Sequence, residues 1–187
     1  MSDATLRHLE RRWLQTGSAD DEAAFLLRRV RSGALSPERL ALAAYCGHGT
    51  CTGEPSGPTT AEAFVVGLVR WGRVASVRAA VAAFRAVPPA DREAAKHAGR
   101  CVAAVSDWVD CPCDAHVKAV QSAHADLRGE GAEAAAAACL VWAVVSEAPA
   151  RSASTAALAM RPLTTVATET DLVAAMRAEL ARWALTG

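Results

Sequence analysis

Two short runs of cysteine and histidine are where this chain could do chemistry. They are Cys46-Gly47-His48-Gly49-Thr50-Cys51 and Cys111-Pro112-Cys113-Asp114-Ala115-His116. Thiolate sulfur and imidazole nitrogen are the donors that tetrahedral zinc takes, and a C-x-C-x-x-H spacing supplies three of the four. If both runs converged in space, they would form a structural clamp. Alone, each holds too few ligands, and neither has the C-x2-C spacing of a zinc knuckle. Cys46, His48, Cys51, Cys111, Cys113 and His116 are therefore zinc candidates, set against a simpler reading as buried thiols and turn histidines. His97 and Cys101, one helical turn apart, make a third and vaguer pair.

Cys113 stands near a helix start, where the dipole lowers a thiol pKa, and His116 lies one turn on as a base. Neighbours at i and i+3 on a helix seldom have the geometry for proton transfer, and no oxyanion-hole motif accompanies them. His124 shares a stripe with Val117 and Val120 and reads as a core or boundary histidine. Carboxylates are scattered singly. There is no Glu-x-x-His pair, no Gly-x-x-x-x-Gly-Lys-Ser/Thr loop and no His-Glu-x-x-His. The chain is expected not to be an enzyme. Trp71 and Trp108 are the recognition anchors to consider, with core filling among alanines as the plainer reading.

The elements that must position these groups are helices. Alanine makes up about a quarter of the chain, in helix-length blocks separated by Gly and Pro. Ser2 or Asp3 caps a first helix bearing Leu6, Leu9 and Trp13, with Gly17 as its left-handed stop. A second carries Phe25, Leu26 and Val30 to Gly33, and Ser36-Pro37-Glu38 opens a third that ends at Cys46. The Gly-, Pro- and Ser-rich stretch 47–58 is the least regular. Helices resume with Phe64 and Leu68, bend near Gly72, stop at Pro88-Pro89, restart from Asp91, and are interrupted at Pro112. The block Ala134 to Val145 is apolar nearly all round, as a central helix enclosed by neighbours would be. A shorter helix breaks at Pro162, the link Thr164 to Thr168 has room to be extended, and Thr170-Asp171 caps the last helix.

No alternating strand pattern appears, so the expected fold is all-α: about eight to ten short helices in antiparallel hairpins, as a compact bundle or a short repeat-like stack. At 187 residues one domain suffices, spanning 1–187, with room for an N-terminal helical module 1–46, an irregular loop 47–58 and a main body 59–187. Alanine lets helix axes approach at the short end of the usual range of about 8–10 Å.

Lys and Arg number 20 against 20 Asp and Glu, and that balance makes nucleic acid a poor partner. The longest apolar run is too short to cross a bilayer. No secretory signal opens the chain, so a cytoplasmic location is expected, with reduced cysteines. The lack of Ile and Asn, and Arg in place of Lys, fit a bacterium with GC-rich DNA.

From Trp71-Gly72 the chain runs through an amphipathic helix ending Ala83-Phe84-Arg85 to Pro88-Pro89-Ala90-Asp91-Arg92-Glu93-Ala94-Ala95. Next come a helix closing on Ser106-Asp107-Trp108, then Ala123-His124-Ala125 and an alanine-rich helix. This layout, over 71–145, resembles the alanine-rich helical immunity proteins of bacterial polymorphic toxin systems. The first 48 residues resemble an N-terminal module that recurs in bacterial proteins and carries no function of its own. Cys111-Pro112-Cys113 departs from the pattern, standing where a plain Gly-containing turn is expected. The resemblance implies a non-enzymatic protein-binding module neutralising a toxin encoded nearby, with no catalytic residues and no cofactor. A homodimer is also allowed. The alternative is a zinc-stabilised or redox-responsive helical adaptor using the Cys/His groups.

Overall fold

A computed structural model describes residues 3–50, 57–89 and 92–186. Among them the protein is all-α, without a strand. Its helices are α1 (Asp3–Thr16), α2 (Ala19–Arg31), α3 (Pro37–Tyr45), α4 (Ala61–Gly67), α5 (Gly72–Ala86), α6 (Arg92–Asp110), α7 (Asp114–Ala125), α8 (Ala132–Val145), α9 (Pro149–Leu158), α10 (Met160–Leu163) and α11 (Glu169–Thr186), with a 3-10 turn at Leu68–Trp71. Ser2, Cys51 and Asp91, each given a role above, lie outside the described residues.

The chain forms two compact units. One is 1–57 together with 180–187, and the other is 58–179. The division at 57/58 falls at the end of the irregular stretch. The last turns of α11 join the N-terminal unit, although local reading had placed them in the main body.

In the N-terminal unit α1 packs on α2. Phe25, Leu26 and Leu35 form its buried core, with Leu6, Leu9, Trp13, Val30, Leu40 and Leu185 against it. Trp13 stacks on Phe25 at 5.4 Å between ring centroids. Ser36 caps α3 by accepting from the Arg39 N–H at 3.2 Å, with Pro37 in the first turn. The C-terminal turns are held by arginines: Arg29 donates to the Leu185 carbonyl and Arg39 to that of Trp183, each at 2.5 Å. The Arg39 guanidinium also lies over the Trp183 ring.

The second unit is a bundle around α8. This helix packs on α6 and α9, and also on α5, α7 and α10, while α9 meets α4 and α5. Its contact faces are built from small residues: Ala75, Ala79, Ala80 and Ala83 on α5, Ala136, Ala137 and Ala143 on α8, and Ala153, Ala156 and Ala157 on α9, all buried. One methyl per position lets these helices approach closely. Buried Ser152 of α9 donates to the Ala143 carbonyl of α8 at 2.7 Å across one such contact, whereas the hydroxyl of buried Ser76 on α5 has no partner among the described residues. Phe64, Leu68, Leu140, Met160, Leu163, Leu172 and Met176 fill the wider spaces.

Three boundaries differ from the sequence-based expectation. The break after α9 falls at Ala159, and Pro162 sits inside α10, where an early helical position needs no N–H partner. Residues 164–167 are a turn, not an extended link. The cap of the last helix is Thr168, whose hydroxyl accepts from the Asp171 N–H at 3.1 Å and donates to the Asp171 carboxylate at 2.7 Å. Asp171 is the third residue of that first turn, and its carboxylate takes the Thr168 hydroxyl proton rather than the cap's backbone N–H of a capping box.

Candidate functional site

The two Cys/His runs have opposite fates. Cys46 closes α3 at its C-terminal end and is buried. Gly47 then takes the left-handed conformation, φ 81°, which only glycine adopts without strain. That turn lets the His48 N–H return to the Ala43 carbonyl at 3.0 Å, and the ring Nε2 meets Glu22 Oε1 of α2 at 3.0 Å. Cys46 is thus buried while His48 is held against Glu22, and Cys51 lies outside the described residues. Described groups that converge for a metal do not include Cys46 or His48.

Cys111, Cys113 and His116 do converge. One ligand atom from each lies within 4.8 Å of the others. The elements on either side set this geometry. Cys111 follows the last residue of α6, its N–H still bonded to the Asp107 carbonyl at 3.0 Å. Asp110, just before it, is paired at 2.5 Å with Arg78 of α5, which also reaches Glu179 at 2.9 Å. Pro112 forbids continuation of the helix. Cys113 is extended, φ −135°, as the N-cap of α7, with the Val117 N–H on its carbonyl at 3.1 Å.

Within the turn, the Cys111 thiol points to Cys113 Sγ at 3.8 Å, and His116 Nδ1 lies 3.2 Å from that sulfur. The same Nδ1 is 2.9 Å from the Cys111 carbonyl. The His116 backbone N–H, free at the start of α7, holds the Cys113 thiol below its ordinary pKa, and contact with Cys111 adds to this. Cys111, as the donor of the pair, is pushed up. The Cys111 carbonyl raises His116, helped by Cys113. Both cysteines are exposed and His116 is half-buried.

The expectation that i and i+3 neighbours rarely meet fails here for a definite reason. Cys113 is the cap, outside the helix, so its side chain swings back over the first turn instead of following the helical spiral. The arrangement offers two sulfurs and one nitrogen to an ion, or a thiol pair to an oxidant.

The remaining candidates separate. Cys101 is buried and donates to the Ala123 carbonyl, while His97 Nδ1 faces the Asp126 carbonyl, so the two are not a pair. Trp108 is 3% exposed, with Arg73 over its ring. Trp71 is half-buried under the Arg70 guanidinium, 3.8 Å from its centroid. His124 meets Trp142 edge-on at 5.9 Å.

Trp142 was missed by sequence reading. It stands 56% exposed on α8, the helix expected to be enclosed on all sides. Ala135 is also exposed on this helix, and Ala138, Cys139 and Val145 are half-covered. An apolar run with no polar face gives no periodic clue to which side stays bare.

In the N-terminal unit an open groove of about 440 Å³ runs over Leu6, Trp13, Phe25 and Leu26, with Glu10, Glu22 and Arg29 at its sides. Compared with family models, with curated proteins and with solved structures, the chain matches none.

Proposed function

We propose that the protein acts by contact: a non-enzymatic helical module that binds another protein, and within that class an immunity protein neutralising a cognate bacterial toxin. The observation that carries this reading is Trp142, exposed on a small-residue bundle helix beside His124. A tryptophan set in a rigid apolar stripe is the type of side chain that dominates binding energy at interfaces. Helices packed through buried alanines lose little freedom on docking, so more of the contact energy appears as affinity. Four further large apolar side chains of the same unit, Val66, Val69, Leu158 and Val166, are exposed. A cytoplasmic location belongs to this reading, and the free thiols at Cys101, Cys111, Cys113 and Cys139 suit a reducing compartment. No helix among the described residues is long and apolar enough to cross a membrane.

The test is to purify the protein with the product of the adjacent gene and measure affinity by calorimetry. Trp142→Ala is expected to weaken the complex by about 30-fold or more, the effect of a hot-spot residue worth roughly 2 kcal/mol. Neutralisation of that toxin in growing cells must fall in step. Tight binding that ignores Trp142→Ala would move the interface elsewhere, and no binding to any neighbouring product would remove the immunity reading.

A second reading, a zinc-stabilised or redox-responsive helical adaptor, is favoured by one observation: the convergence of Cys111, Cys113 and His116.

A further inference from the structure

We infer that the turn between α6 and α7 is a zinc site of three protein ligands, Cys111 Sγ, Cys113 Sγ and His116 Nδ1, with a fourth position open to water. The inference deepens the adaptor reading and is independent of the contact reading at Trp142.

The spacing of the donors carries it. Two thiolates at about 2.3 Å from a tetrahedral zinc ion stand about 3.8 Å apart. The Cys111 and Cys113 sulfurs stand at 3.8 Å. A thiolate and an imidazole nitrogen on the same ion are about 3.6 Å apart, against 3.2 Å from Cys113 Sγ to His116 Nδ1. All three donors already lie within 4.8 Å of one another. Rotation of the two exposed cysteine side chains toward half-buried His116 would seat the ion. The backbone is fixed by the end of α6, by Pro112 and by the start of α7.

The donor set selects the ion. Two soft sulfurs and one imidazole suit zinc and disfavour magnesium or calcium, which want oxygen. On binding, both thiol protons leave for solvent, and the proton that His116 Nδ1 donates to the Cys111 carbonyl is lost while the ring keeps its proton on Nε2, so that Nδ1 takes the metal in place of that hydrogen bond. That carbonyl is then free for water. Structural zinc sites close with four protein ligands, whereas three plus water is the open arrangement.

The site is also local. Its ligands fall within six consecutive residues, so an unfolded chain keeps the same donors close together. Zinc therefore stabilises the fold by less than its affinity for the folded state alone would give. This ion is a local pin, held by donors that all come from one turn.

The experiment uses the reduced, metal-free full chain, titrated with Co²⁺ and then with Zn²⁺. The expected result is one Co²⁺ per chain with the intense visible bands of tetrahedral coordination and a thiolate charge-transfer band in the near ultraviolet. One equivalent of Zn²⁺ should abolish both. Cys113→Ser and His116→Ala should each weaken Zn²⁺ binding by about 100-fold, while Cys46→Ala leaves it unchanged. Absence of stoichiometric binding, or binding that survives Cys113→Ser, overturns the site. Thermal melts separate it from the adaptor reading. Binding with no rise in Tm keeps the site and removes zinc as a stabiliser. No binding removes the site and leaves the adaptor only its redox form.

Discussion

Cys46 and Cys113 both stand at the end of a helix with a histidine close behind, yet they are at opposite ends. Cys46 caps the C-terminus of α3, and Cys113 caps the N-terminus of α7. A helix C-terminus presents carbonyls, which offer nothing to a thiolate, and a left-handed glycine after it turns the chain away. There the sulfur goes into the core and the histidine finds Glu22. A helix N-terminus presents free N–H groups, and an extended cap turns its side chain back toward them. There the sulfur stays in solvent, its thiolate is favoured, and the histidine one turn on comes into contact. The same residue types give a structural thiol at one pole and a reactive cluster at the other.

The largest expected difference is in reactivity. With metal chelated, iodoacetamide at neutral pH should modify Cys113 fastest, Cys111 more slowly, and Cys46 at least about 100-fold more slowly than Cys113. Local opening that costs roughly 3 kcal/mol gives that protection to a buried thiol. Peptide mass mapping over a time course reads all three. Equal rates at Cys46 and Cys113 would erase the contrast between the two helix ends.

A smaller effect separates them in stability. Cys46→Ser places a hydroxyl where 5% of the residue is exposed, at the end of a helix whose Leu42, Ala43 and Tyr45 are also buried. It should cost about 1–2 kcal/mol in urea unfolding. Cys113→Ser, at an exposed N-cap where serine is a favoured residue, should stay within about 0.5 kcal/mol of the parent. If Cys113→Ser proved the more damaging change in metal-free protein, the turn would be a structural element and not a ligand site.

Much of this was legible before the fold was known. Ser36-Pro37, Gly17 and Gly47 mark helix ends through backbone rules that act over three or four residues. Both cysteine runs are visible as chemistry at the level of spacing. Three things were not legible, each for a physical reason. Which of these helices pair depends on faces of alanine, and a methyl group fits any other methyl group, so the packing of α5 on α9 and of α8 on α9 leaves no local mark. The exposure of Trp142 is hidden because α8 has no polar face to set a direction. The contact between Cys113 and His116 depends on the cap's φ of −135°, which an i,i+3 rule for residues inside a helix does not describe.

The two regions also differ in what anchors them, and this gives the smallest effect. The α1–α2 corner ahead of the Cys46 run is tied by Asp21, buried at the start of α2. It accepts from the Thr16 hydroxyl at 2.6 Å and from the Arg12 guanidinium. Those two bonds, Thr16 first, hold its carboxyl below the ordinary 3.8. A carboxylate with a lowered folded pKa adds stability that is complete above its unfolded pKa and is lost as the pH falls through the folded value. Acid unfolding followed by circular dichroism should therefore have a limb below about pH 4 that Asp21→Asn flattens. Near neutral pH that variant should be less stable than the parent by a modest margin, because Arg12 is half-exposed and solvent screens the charge part of the pair. The residue sits in the first turn of α2, where a negative charge is favoured whether or not Arg12 is present, so Arg12→Ala should shift the acid limb less than Asp21→Asn does. An acid limb equally steep in parent and Asp21→Asn would mean that this corner does not carry the N-terminal unit's pH dependence. The contrast between the two cysteine runs would then rest on helix polarity alone.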